Sequence, residues 1–166
     1  MLALFCSRSL RARQTARYIS ETTGLVPEVL AGLEERTFHA LVGLTREQIA
    51  NRYGTGTLFA LEHRSEGLEL AGEETLAQAA ERVHATVAHI LTHPHQRLAI
   101  VSHGGPHGWL LASALGLDVR ESRLFRLDEA SFSIFAFQPE EKGFRLTRIV
   151  TLNARMLPAG LLAQNK

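Results

Sequence analysis

The segment Leu98-Ala-Ile-Val-Ser-His-Gly-Gly-Pro-His-Gly-Trp-Leu-Leu111 decides the fold. Leu98 to Val101 is an unbroken apolar run, the pattern of a strand buried on both faces. It leads straight into Ser102-His103-Gly104-Gly105, and Pro106 suits the first turn of a helix carrying Trp109, Leu110 and Leu111 and ending at Gly116. A strand, a glycine turn and a helix in this order make up the repeating unit of α/β proteins, whose ligands sit outside the carboxyl ends of the strands. His103 projects from such an end, and Gly104 and Gly105 let backbone amides face an anion at the helix start. The same residues equally describe a turn that merely needs two glycines, with His103 in an ordinary hydrogen bond.

Upstream, Leu2 to Cys6 reads as a buried strand. A helix follows from a Ser9 cap to about Thr23, with Leu10, Ala16, Ile19 and Ser20 near one face and Gly24 as its stop. Val26 to Leu30 is a short apolar stretch, and residues 31–44 read as a loop. Thr45 with Gln48 has capping-box spacing and opens a second helix ending near Tyr53. Residues 57–72 are ambiguous, with a helical turn at Leu58 to Leu61. The longest helix is expected over Glu73 to His93, with Leu76, Ala80, Val83, Val87, Ile90 and Leu91 as its apolar stripe and Pro94 as its stop. Downstream, Ser131 to Phe137 and Phe144 to Leu152 read as strands joined by the hairpin loop Pro139-Glu-Glu-Lys-Gly143. The expectation is one α/β domain over residues 1–166, its sheet mostly parallel with an antiparallel edge, and a loosely held tail after Pro158.

Composition narrows the function. The 166 residues are 45% hydrophobic and 21% charged, which is ordinary for a globular protein. Eighteen Lys and Arg against seventeen Asp and Glu leave a formal charge of +1, which argues against a partner as anionic as nucleic acid. Cys6 is the only cysteine, so neither an internal disulfide nor a four-cysteine zinc site can form. The longest apolar run, Trp109 to Leu117, is broken by Ser113 and falls short of the roughly 18 residues of a membrane span. Leu2 to Cys6 is too short for a secretory signal core, so a soluble, cytoplasmic protein is expected.

Two further clusters carry possible chemistry. Arg8, Arg11, Arg13 and Arg17 gather at the start of a helix, where the macrodipole disfavours cations and a bound anion would relieve the conflict. Arg11 follows the strand end most closely; Arg13 and Arg17 read as a solvated face. Glu34-Glu35-Arg36 lies in a loop at the same sheet edge, where a carboxylic acid near a phosphate can protonate a leaving oxygen. Other readings fail. Gly54-Thr55-Gly56 lacks the third glycine and preceding strand of a dinucleotide site, no Gly-x-Ser-x-Gly occurs, and His93-Pro94-His95 and His103 with His107 lack the partners of a metal site. No metal and no cofactor are expected.

Together these segments resemble the histidine phosphatase superfamily, which includes the cofactor-dependent phosphoglycerate mutases. Cys6-Ser-Arg-Ser-Leu-Arg-Ala-Arg-Gln-Thr-Ala16 resembles that family's Ser-Ser-Pro-Leu-x-Arg-Ala-x-Gln-Thr-Ala. Leu33-Glu-Glu-Arg-Thr-Phe-His-Ala-Leu-Val-Gly-Leu-Thr45 is similar to its Leu-x-Glu-x-x-x-Gly-x-x-x-Gly-Leu-Thr. Ala71-Gly-Glu-Glu-Thr75 with Arg82-Val83, Val101-Ser-His-Gly-Gly105 and Thr151-Leu-Asn153 match further motifs in order and spacing. The resemblance implies a three-layer phosphoglycerate mutase-like fold. It implies Arg11, His103 and Gly104 as phosphate-binding residues, with Glu35 and His103 the catalytic pair and Glu35 the acid-base carboxylate. Arg8 stands where the family has Pro, and His39 and Val42 stand where it has Gly and Glu.

The family opens with a strand ending in Arg-His-Gly, whose histidine takes the phosphoryl group, and no Arg-His-Gly occurs in these residues. The resemblance therefore implies an N-terminally truncated fold with a gap or rearranged edge in its sheet. Two functions are expected to compete: phosphoryl transfer or hydrolysis of small phosphate esters with a nucleophile from outside this sequence, or a phosphate-binding module without turnover. The partner is a small phosphorylated molecule or inorganic phosphate, not nucleic acid and not a membrane. A homodimer is expected through a strand edge near Leu2 to Cys6 or Leu98 to Val101.

Overall fold

A computed structural model of the chain describes residues 2–63, 67–141 and 143–156. Its elements are β1 (Leu2–Ser7), α1 (Leu10–Thr23), β2 (Pro27–Leu30), α2 (Arg46–Tyr53), α3 (Thr55–Glu62), α4 (Leu76–Ile90), β3 (Arg97–Val101), α5 (Gly104–Ala114), β4 (Phe132–Pro139) and β5 (Phe144–Ala154). Short 3-10 turns at Ala31–Leu33 and His39–Leu41 lie within the expected loop, and a third at Val119–Leu124 follows α5. The tail after Pro158 and Lys142 of the hairpin loop fall outside the described residues.

β1 lies between β2 and β3, parallel to both, with Cys6 in register with Val29 and Val101. This corrects the expectation of a free edge at Leu2 to Cys6: both sides of that strand are paired, and β2 and β3 are the edges. The alternation of a strand puts Ala3 and Phe5 beside Leu98 and Ile100 on one face. That face meets Leu76, Val83, Val87 and Ile90 of α4 and Trp109 and Leu110 of α5 in the main core. Leu4 and Cys6 are buried on the opposite face; α1, which packs against β1, buries Ala12 and Ala16. Helices on both faces of a parallel sheet make three layers.

The hairpin β4–β5 is antiparallel, as expected, but forms a sheet of its own rather than the edge of the parallel one. Its ladder closes within the hairpin, with three register shifts that bend it. It is anchored by aromatic side chains: Phe144 is buried, stacks on His84 of α4 at 4.5 Å and meets Phe137 edge-on at 5.0 Å.

Three helix details differ from the sequence expectation. Leu10 is exposed, and the buried face of α1 is Ala12 and Ala16, small enough to let the helix lie close on the sheet. Ser9 occupies the N-cap position of α1 without a side-chain cap bond. α4 begins at Leu76, not Glu73, because Thr75 and Gln78 form a reciprocal capping box. The box at Thr45 is present as expected. No helix among the described residues is long and apolar enough to cross a membrane.

Candidate active site

Parallel register brings the carboxyl ends of β1 and β3 to the same edge, so Ser7 and the residues opening α1 meet Ser102 and His103 at the start of α5. The segment after β2 is tied to that edge by Ser102, whose hydroxyl donates to the Leu33 carbonyl at 2.6 Å. Arg11 therefore meets His103, and Glu35 reaches the start of α5 beside Gly104.

His103 is 8% exposed and both its ring nitrogens are engaged. Arg11 Nε donates to Nδ1 at 3.1 Å, and Nε2 lies 2.9 Å from Ser7 Oγ. A guanidinium can only donate, so Nδ1 carries a lone pair, and the ring proton sits on Nε2 and donates to Ser7. Burial, followed by the neighbouring Arg11 charge, holds the His103 pKa below its ordinary value, with Glu34 pulling weakly the other way. The neutral ring thus braces Arg11 from behind. Ser7 is fully buried and its Oγ also accepts the Ser9 amide at 3.3 Å. Its position beside His103 does not make a serine nucleophile, because the ring nitrogen facing it bears the proton.

Glu35 is fixed by main-chain donors. Its Oε2 accepts from the Gly105 amide at 3.1 Å and its Oε1 from the Arg36 amide at 3.2 Å. The carboxylate therefore takes one of the two glycine amides that the sequence assigned to an incoming anion. Gly104 is exposed, with open space around its α-carbon.

Two arginines hold this loop from below. Arg82 of α4 grips both carboxylate oxygens of Glu74 at 2.7 Å, and its other amino group reaches the carbonyls of Gly32 and Glu34 at 2.9 and 3.1 Å. The pair pulls the Glu74 carboxyl below its usual range and raises Arg82. Arg36 donates to the Glu74 carbonyl at 2.8 Å, to the Leu68 carbonyl and to Glu69, and lies over the Phe38 ring.

In front of Arg11 opens a cleft of about 410 Å³, running from Arg8 and Arg11 past Glu34 and Glu35 to His39 and Glu73. Arg8 is bound at its mouth to Glu34 at 2.6 Å. Arg17 lies on the solvated face of α1, paired with Glu21 at 2.7 Å. One turn into α5, His107 has its pKa pushed down to about 4 by burial and then by His103. No group of three or more metal-ligating side chains occurs among the described residues.

The sequence points to Arg36 within Glu34-Glu35-Arg36 and to Arg82 within a family motif but gives neither a role in this assembly, and it gives Ser7 none. The roles depend on distant partners: Ser7 meets His103 across the sheet edge, Arg36 reaches the Glu74 carbonyl, and Arg82 reaches back to Gly32 and Glu34.

The model of the histidine phosphatase superfamily (branch 1) matches residues 1–150. Similar solved structures include a mycobacterial glucosyl-3-phosphoglycerate phosphatase in complex with VO3, 26% identical, with a TM-score of 0.71 over 93% of this chain and 77% of that one. The same phosphatase has been solved with inorganic phosphate. Mycobacterial hydrolase 1 is 26% identical, with a TM-score of 0.72 over 92% of this chain and 76% of that one. The α-ribazole phosphatase of Shigella flexneri, 24% identical, shares the fold with a TM-score of 0.72 over 94% of this chain and 75% of that one. The chain thus spans about three quarters of the length of these structures. No curated protein sequence matches it.

Proposed function

The chain belongs to the histidine phosphatase superfamily, and from that premise we propose that its cleft binds the phosphoryl group of a small phosphate ester for transfer or hydrolysis. The observation that carries this reading is the Arg11–His103 pair: a permanently charged fork, oriented through Nε by a buried neutral ring, with its two terminal amino groups unclaimed among the described residues and so left for an anion. Glu35, held at the same edge by the Gly105 amide, is the group to protonate the leaving oxygen as the phosphorus–oxygen bond breaks. His103 serves the anion through Arg11, which it orients, and the exposed Gly104 leaves the start of α5 open beside it. The relatives named for phosphatase activity, and the one solved with phosphate, support the same substrate class.

A second reading, phosphate binding without turnover, is favoured by one specific observation. The lone pair of His103 Nδ1 is covered by Arg11 and its other nitrogen is protonated, so the ring has nothing with which to attack phosphorus. The histidine that receives the phosphoryl group in this family belongs to an Arg-His-Gly sequence, and the 166 residues hold none. The purified 166-residue protein is therefore expected to hydrolyse p-nitrophenyl phosphate negligibly. A robust rate would overturn the binding-module reading, and a phosphohistidine found at residue 103 would make His103 the nucleophile. We further infer a cytoplasmic homodimer, paired through the outer edge of β3, where Leu98 and Ile100 are only half-buried.

A further inference from the structure

The cleft extends well beyond a phosphate, and its wall is not uniform. Three arginines line it, and two are already committed. Arg8 is held by Glu34 at 2.6 Å, and Arg82 is gripped by both oxygens of Glu74 while also serving two backbone carbonyls. Arg11 alone of the three has no carboxylate partner among the described residues. One phosphoryl group uses it up. Glu34, Glu74 and Glu35 are tied to Arg8, to Arg82 and to main-chain amides. Besides these and Ser9, the wall is formed by Thr37, His39 and Glu73, on the loop after β2 and the turn before α4. Glu73 Oε1 accepts the Ala40 amide at 2.6 Å, a contact that favours the ionised carboxylate and aims it at this part of the cleft. An anion placed there meets the negative charge of Glu73 with no uncommitted cation to offset it. Hydroxyl groups meet a carboxylate acceptor, a threonine hydroxyl and an imidazole, each able to form hydrogen bonds.

Resting on the reading of the cleft as a phosphate-ester site, we propose that it selects esters whose alcohol portion is neutral and hydroxyl-bearing, and that Glu73 is the residue that turns away esters carrying a second anionic group. The neutral portion lies along Thr37, His39 and Glu73 while its phosphate is held by Arg11. Selectivity comes from an unpaired repulsion against the wrong ligand as much as from contacts with the right one.

Calorimetric titration of the protein with inorganic phosphate, glycerol 1-phosphate and 3-phosphoglycerate, at one pH and ionic strength, tests this. The two esters have the same carbon count and differ in a carboxylate. Glycerol 1-phosphate is expected to bind about tenfold more tightly than 3-phosphoglycerate, the size of one partly screened charge contact. Glu73→Gln, which keeps an oxygen for the Ala40 amide, should close most of that gap by strengthening 3-phosphoglycerate binding, and Thr37→Ala should weaken glycerol 1-phosphate alone. Equal or tighter binding of 3-phosphoglycerate by the unaltered protein, or a gap that Glu73→Gln leaves intact, would overturn the proposal while phosphate binding stands. Failure of all three ligands to bind would remove the phosphate-site reading itself, and this inference with it.

Discussion

Glu35 can hold its place only because residue 105 has no side chain. A β-carbon there would collide with Glu35 Oε1 and lie 2.9 Å from both its carboxyl carbon and Trp109 Cζ2, while the Gly105 amide is the donor that fixes the other oxygen. Gly105→Ala is therefore expected to displace the carboxylate and to destabilise the fold by about 1–3 kcal/mol in urea denaturation, the usual penalty for overpacking. Gly104→Ala, with open space around its α-carbon, should cost far less. Equal costs at the two positions would refute this division of roles. Arg11, Glu35 and His103 were legible in the sequence because each stands within a recognisable motif. The difference between the two glycines was not, because it depends on a carboxylate seventy residues away in the chain. Nor was the hydrogen-bonded state of His103, which is set by Ser7 on the neighbouring strand and Arg11 on the helix that follows it.

At the scale of elements, caps and stripes explain what could be read. Thr45 showed its capping box plainly. The box at Thr75 was obscured by Glu73 and Glu74, which look like the acidic first turn of a longer helix but are drawn away to the Ala40 amide and to Arg82. The start of α1 was misjudged in the opposite sense: Ser9 has the right residue type and position, yet its side chain makes no cap bond. Thr75→Ala should accordingly lower stability by about 1 kcal/mol, whereas Ser9→Ala should change it little. Chemical denaturation midpoints for the two variants decide the matter, and equal losses would contradict the cap assignments. The separate hairpin was the least legible element. An alternating strand pattern predicts pairing within β4–β5 and is silent on whether β4 joins the edge of another sheet.

At the scale of the whole molecule, the buried His103 and the partly buried His107 set an acid limit. Unfolded, His107 takes up its proton as the pH falls through about 6.5, and folded it does so only near 4. His103 is shifted in the same direction. The unfolded state thus binds more protons across this window, and stability should fall as the pH is lowered from about 6.5 towards 4. Urea denaturation at pH 7 and pH 5 checks the sign, and His107→Gln should flatten the slope. A stability that rises on acidification through this range would refute the neutral assignment. The parallel sheet leaves β3 without a second partner among the described residues, so light scattering at micromolar concentration should report a dimer. A monomer would show that the edge is protected by other means.

The central claim, that Arg11 braced by His103 is a phosphate seat, is tested most directly by thermal unfolding in phosphate and in chloride at matched ionic strength. Arg11 and Arg17 lie on the same helix and carry the same charge, but only Arg11 is joined to His103, while Arg17 is paired with Glu21 on the solvated face. Phosphate should raise the melting temperature above that in chloride, because a ligand that binds only the folded state stabilises it. Arg11→Ala should remove most of that difference, and Arg17→Ala should leave it nearly whole. Equal responses in the two variants, or no difference between the salts for the unaltered protein, would contradict the account.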